Sequence, residues 1–337
     1  MKILSRKLCF ALVAICLSWQ AAHGQKVSAI VVFGDSLSDL GNTYNLLGNW
    51  AAYGLADYNS WFYDEGRWSN GPLWIEDVAL ALGFPALQRN VGSHSYAETY
   101  GTSILYGTDF AWGGSRSGDG SAFYILPNLQ LQISYYLSIL SGTPSYARMP
   151  KISETLFSVW SGGNDVIDEV TGLGESITPA EVAANIGKAI KTLYDSGGRF
   201  FFVPNLPPLG DKPSFLHTKY EDPANAFVAQ YNPLLQAELA KLQGELAGVT
   251  IIPFDAYKKF EEVLAHPETY NLTNTTDSAY VSDSSHAHDG YVVSNPEQYL
   301  FWDDTHPTIT GQAIIGREAY KAIQTALGSI LASPKAN

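Results

Sequence analysis

The residue types needed for nucleophilic acyl chemistry occur in four short segments: Gly34-Asp35-Ser36-Leu37-Ser38-Asp39, Trp112-Gly113-Gly114-Ser115, Ser161-Gly162-Gly163-Asn164-Asp165 and Trp302-Asp303-Asp304-Thr305-His306-Pro307. A serine hydroxyl is a poor nucleophile until a base takes its proton. The base needs an acceptor that fixes its tautomer, and the developing oxyanion needs preorganised donors. Ser36 could be the nucleophile and His306 the base. Asp303, three residues before His306, can return to the imidazole Nδ1 across one turn of chain and leave Nε2 facing Ser36. Gly114 offers an N–H that no side chain obstructs, Asn164 a side-chain amide, and Ser36 its own backbone N–H. Taken singly, each segment also has an ordinary reading. Gly-Asp-Ser can be a turn, the glycine pair loop punctuation, Gly-Asn-Asp a turn with Asn in the left-handed region, and Asp-x-x-His a pair opening a helix. Gly113 competes with Gly114, and Asp304 with Asp303, where spacing favours Asp303. Asp35 reads as a turn-shaping residue, and Asp39 and Asn42 as structural.

Such residues must be held by regular elements. Continuous apolar runs at 27–33, 109–112, 155–160, 199–204 and 249–254 predict strands buried on both faces. Helical stretches at 72–82, 126–140, 179–195, 225–246 and 310–331 alternate with them, several beginning at Pro or ending at Gly. Strand–helix alternation predicts an α/β domain with a central parallel sheet and helices on both faces. An open parallel sheet binds its ligand at the carboxyl ends of its strands, and the first three segments each follow a predicted strand directly. Ser36 is not in a Gly-x-Ser-x-Gly elbow, which argues against an α/β-hydrolase.

Two stretches break the rhythm, 42–70 and 266–299, and long insertions of this kind predict functional loops beside the site. The first carries Tyr44, Trp50, Tyr53, Trp61, Tyr63 and Trp68, which could wall an acyl or sugar subsite or simply pack the loop onto the body. The second carries His286 and His288 with Asp283 and Asp289, a spacing that matches no strong zinc pattern, and no metal is expected there. Asn271 and Asn274 head Asn-x-Thr sequons, which matter in a eukaryotic secretory pathway.

Lys2, Arg6 and Lys7 precede an apolar run at 8–17 and then Ala22-His23-Gly24. This reads as a signal peptide of residues 1–24, leaving a single domain at 25–337 that is secreted or periplasmic. The run is shorter than the roughly 20 residues of a membrane span, so no membrane anchor is expected after cleavage. Cys9 and Cys16 both fall in the leader, so the mature chain would carry no disulfide and no cysteine-ligated metal. Losing three basic and no acidic residues moves the formal charge from −13 to −16. An acidic surface of that size repels nucleic acid, which is not expected as a partner.

The four segments and their order resemble the GDSL or SGNH hydrolases, which are esterases, lipases and related acylhydrolases. Residues 33–42 are similar to the family's first block, Asp109-Phe-Ala-Trp-Gly-Gly-Ser115 to its second, Ser161-Gly-Gly-Asn-Asp165 to its third, and Asp303-Asp-Thr-His-Pro-Thr308 to its last. The stretch Gly66-Arg-Trp-Ser-Asn-Gly-Pro72 is similar to one common in longer members. Asp109 and Ser115 depart from the pattern, which has Asn and Ala there. The resemblance implies a flavodoxin-like three-layer α/β/α sandwich and a carboxylic ester hydrolase without a cofactor. It implies Ser36 as nucleophile, His306 as base and Asp303 as its orienter, with Ser36, Gly114 and Asn164 as oxyanion donors. The implied substrate is a small-molecule or lipid ester; an acetyl group on a polysaccharide, or a catalytically silent surface-binding protein of the same fold, are the alternatives.

Overall fold

The computed structural model describes residues 26–47, 63–89, 108–118, 126–142, 149–282 and 290–332. The expected leader, with Cys9 and Cys16, lies outside them, as do Trp50, Tyr53, Trp61 and the His286/His288 group. Four apolar runs form one parallel sheet in the order β1 (Ala29–Gly34), β2 (Thr155–Trp160), β3 (Phe200–Pro204), β4 (Thr250–Phe254). The first three are buried at every position. β4 bears an exposed Pro253, which suits an edge strand because proline cannot donate to a ladder.

Alternate residues of each strand face opposite cores. Ile30, Val32, Trp160 and Phe202 pack with α2 (Trp74–Ala81), α7 (Ala256–Ala265) and α8 (Ile309–Leu327). Val31, Phe33, Phe157 and Phe201 pack on the other face with α3 (Leu129–Gly142), α5 (Pro179–Asp195) and α6 (Glu221–Glu245). The result is a three-layer α/β/α sandwich. Two short helices lead away from strands into the site, α1 (Asn42–Leu47) and α4 (Gly163–Thr171).

Helix α5 has the expected bounds because Thr178 and Glu181 form a capping box and Pro179 occupies the first turn. Helix α6 begins a turn earlier than 225, since Pro223 falls in the first turn, where no intrahelical N–H bond is lost. Helices α1, α4 and α7 lie outside the expected helical stretches, and the polar stretch 266–299 contributes β5 (Asn274–Ser278), β6 (Tyr280–Ser282) and β7 (Gly290–Val292), which with β8 (Tyr299–Phe301) at its end form the two-stranded pairs β5–β8 and β6–β7.

The run 109–112, expected as a strand, forms isolated bridges at Asp109, one to Val32 of β1 and one to Arg89. It still runs parallel to β1, with Val32 N–H donating to Thr108 O, Phe110 N–H to Val32 O and Trp112 N–H to Gly34 O at 2.8, 2.8 and 3.2 Å. The Asp109 carboxylate diverts the local backbone, accepting the N–H groups of Ala111 and Leu40 at 3.0 and 2.8 Å, a competition that side-chain acceptors offer to ladders. Among the described residues no helix is long and apolar enough to cross a membrane.

Candidate active site

Ser36 sits two residues beyond β1. At Gly34 the chain passes so close to β2 that a Cβ would collide with the Trp160 carbonyl oxygen. Asp35 then shapes the turn as expected: its Oδ1 accepts the Leu37 N–H at 3.1 Å and its carbonyl the Ser38 N–H at 3.0 Å. The carboxyl is buried, and burial pushes it up to about 7, against the Leu37 hydrogen bond and the nearby His306.

The last segment comes back to this turn. His306 Nε2 lies 2.8 Å from Ser36 Oγ, and Nδ1 lies 2.7 Å from Asp303 Oδ2 and 3.0 Å from Oδ1. The N–H groups of Thr305 and His306 donate to Asp303 Oδ1 at 2.8 and 2.6 Å. Burial works against the Asp303 charge, but the His306 ring, the His306 N–H and the Tyr63 hydroxyl outweigh it and hold the carboxyl below its ordinary value. Burial likewise opposes protonation of His306; Asp303, Asp304 and Asp35 outweigh it and raise the imidazole above the usual histidine value. Asp304, the competing partner, is exposed and instead accepts the Thr305 hydroxyl at 2.9 Å. Lys212 braces the same loop, its Nζ donating to Thr305 Oγ1 at 3.1 Å and to Ser214 Oγ, while Ser214 N–H donates to the Asp304 carbonyl. Burial lowers the Lys212 ammonium to about 8 despite Asp304 and Asp303.

The two glycines differ in what their N–H groups meet. The Gly113 N–H is taken by Asp39 Oδ2 and Thr43 Oγ1 at 2.9 and 2.8 Å. Gly114, at φ 75° where a side chain would be strained, has no N–H partner among the described residues, and neither does the Ser36 N–H. Asn164 Nδ2 donates one hydrogen to the Ser115 carbonyl at 2.9 Å, and among the described residues the other has no acceptor. Ser36, Gly114, Asn164 and His306 all line one cleft of about 1040 Å³. Asp39 and Asn42 are structural, Asp39 gathering the N–H groups of Gly41, Asn42 and Gly113, and Asn42 Nδ2 bonding the Asp109 and Ala111 carbonyls.

Among the described residues, Tyr44, Tyr63 and Trp68 of the first insertion line the cleft, and two of them, Trp68 and Tyr63, touch the catalytic side chains. Trp68 lies against the His306 ring, with centroids 5.1 Å apart, while its Nε1–H donates to Asp39 Oδ2 at 3.4 Å. Its neighbours Ser69 and Asn70 hold the Pro307 carbonyl and the Ile309 N–H at 2.9 and 2.7 Å, so the stretch 66–72 clasps the histidine loop. Tyr63 donates its hydroxyl to Asp303 Oδ2 at 2.7 Å and packs edge-on against Tyr280 and Trp302. Sequence reasoning offered Tyr63 as an aromatic wall or as packing of the loop onto the body; no signal pointed across 240 positions to Asp303.

The sequence pattern of the GDSL-like Lipase/Acylhydrolase family matches residues 30–319. The chain belongs to that family. It is therefore a carboxylic ester hydrolase. Among curated relatives, the thermolabile hemolysin of Vibrio parahaemolyticus is 27% identical over 86% of this chain and 62% of its own length. A GDSL esterase/lipase of Arabidopsis thaliana is 26% identical over 89% and 83%, and the phosphatidylcholine-sterol acyltransferase of Aeromonas hydrophila 26% identical over 92% and 95%. Among solved structures, the aryl esterase of M. smegmatis has a TM-score of 0.47 at 13% identity, covering 89% of this chain and all of that one. The family assignment rests on the sequence match.

Proposed function

We propose that the chain is a secreted serine esterase acting on lipid or other acyl esters through an acyl-enzyme on Ser36. The observation that carries the reading is the unbroken relay from Ser36 Oγ through His306 to Asp303, at 2.8 and 2.7 Å. Ser36 Oγ attacks the ester carbonyl carbon while its proton passes to His306 Nε2, and Asp303 holds Nδ1–H and stabilises the imidazolium. The carbonyl oxygen, now an oxyanion, takes hydrogen bonds from the Ser36 and Gly114 N–H groups and the Asn164 amide. His306 returns the proton to the leaving alcohol. Water, deprotonated by His306, then releases the acid and restores Ser36.

The cleft walls support an acyl substrate: Leu37, Ile167, Leu209, Phe260, Leu264 and Tyr299 are among its lining residues. A relative named for a phosphatidylcholine-sterol acyl transfer supports the lipid side of the reading. Secretion rests on the basic and apolar composition of residues 2–24. The test is hydrolysis of p-nitrophenyl esters of increasing chain length beside an acetylated glycan, with wild type and Ser36→Ala. The reading predicts activity on acyl esters that the variant lacks. Undiminished hydrolysis by Ser36→Ala would refute the nucleophile, and turnover of the glycan alone would refute the substrate class.

A further inference from the structure

Asp303 Oδ2 is shared. It accepts His306 Nδ1–H at 2.7 Å and the Tyr63 hydroxyl at 2.7 Å, whereas Oδ1 takes the two backbone N–H groups of its own loop. Among the described residues, Tyr63 is thus the donor to this carboxylate that comes from a different part of the chain. Its ring is fixed in turn: buried, and edge-on to Trp68, Tyr280 and Trp302 at centroid distances of 6.3, 6.0 and 6.4 Å. Tyr280 belongs to β6, so Tyr63 of the first insertion and Tyr280 of the second pack on each other beside the carboxylate that holds His306.

We propose that Tyr63 is a positioning residue of the relay: its hydroxyl fixes the Asp303 carboxylate against His306 and draws part of the negative charge that would otherwise pull on the imidazole proton. The inference rests on the serine-esterase reading above. A phenol donating to the same oxygen as the imidazole competes for that oxygen's charge, so its removal strengthens the carboxylate's hold on the imidazolium. Among the described residues, the other charged or titratable groups facing the pair are Asp304 and Asp35 beside His306, and Lys212 beside Asp303 and Asp304. Tyr280 packs on the Tyr63 ring itself. None of these is altered by removing one oxygen from Tyr63.

The experiment is the pH profile of kcat/KM for Tyr63→Phe on a short p-nitrophenyl ester, beside wild type and Ser36→Ala. Phenylalanine keeps the ring contacts and removes only the donor. The acidic limb of Tyr63→Phe should move up by about half a pH unit, so that activity falls several-fold more below neutrality than on the alkaline plateau, with KM unchanged. A contact that only supports the fold would lower the profile equally at every pH. An unmoved limb therefore overturns the inference. Should Tyr63→Phe fail to accumulate as folded protein, 3-fluorotyrosine at position 63, a stronger donor of nearly the same shape, must move the limb the opposite way, and an unmoved limb there overturns the inference equally. Hydrolysis retained by Ser36→Ala would instead refute the nucleophile itself, and that failure is distinct from an unmoved limb in an enzyme that Ser36→Ala inactivates.

Discussion

Asp35 beside the serine gives a prediction whose size follows from its surroundings. The residue is 4% exposed, and burial lifts its carboxyl from 3.8 to about 7. The folded protein therefore keeps this proton to higher pH than the unfolded chain does. A carboxyl raised in this way contributes its full stability only at low pH, and the contribution falls as pH rises from the unfolded value through the folded one. Between about pH 5 and about pH 8 the fall is roughly 3 kcal/mol, because each pH unit below the folded value of about 7 is a tenfold change in the proton-binding ratio. Asn at this position keeps an acceptor for the Leu37 N–H, which Oδ1 now engages at 3.1 Å, and carries no titrating group. The stability of Asp35→Asn relative to wild type should accordingly rise by roughly 3 kcal/mol from the lower to the higher pH. Urea unfolding followed by tryptophan fluorescence, with both proteins at both pH values, measures that difference directly. Equal differences at the two pH values would refute the claim that burial holds Asp35 protonated.

The remaining predictions concern the reaction. Asn164→Ala removes one oxyanion donor and should lower kcat by about 100- to 1000-fold with little change in KM, measured by steady-state kinetics on a p-nitrophenyl ester. His306 must be neutral to accept the serine proton, and its neighbours raise it above 6.5, so kcat/KM of wild type should rise with pH through a midpoint above that value. Asp303→Asn removes the charge that favours the imidazolium. It should lower that midpoint and reduce kcat by about 10⁴-fold, because the ring loses its tautomer control.

Much of the frame was legible because burial on both faces leaves a plain signature: Ala29–Gly34 and Phe200–Pro204 are apolar without alternation. The capping pair at Thr178 and Glu181 likewise set the start of α5. The short helices α4 and α7 carry no comparable signal, and Asp109 turns an apolar run into an irregular edge through its side-chain acceptors. In the site, the placement of Ser36, Gly114 and Asn164 after successive chain segments beside the sheet could be read in order. The preference for the Gly114 N–H could not, because it depends on Asp39 and Thr43 occupying the neighbouring donor from about 70 residues away. Spacing did favour Asp303 over Asp304, since a carboxylate three residues before the histidine can fold back onto both its ring and its backbone N–H. The part played by Tyr63 and Trp68 was hidden for the opposite reason: their partners are fixed by tertiary packing and by no local pattern.

The central claim is that Ser36 is the activated nucleophile, and labelling with a fluorophosphonate tests it most directly. Mass analysis of the treated protein should find a single covalent adduct, mapped to the peptide containing Phe33-Gly34-Asp35-Ser36-Leu37, and none in Ser36→Ala. An unlabelled wild type, or a Ser36→Ala variant labelled to the same extent, would contradict it.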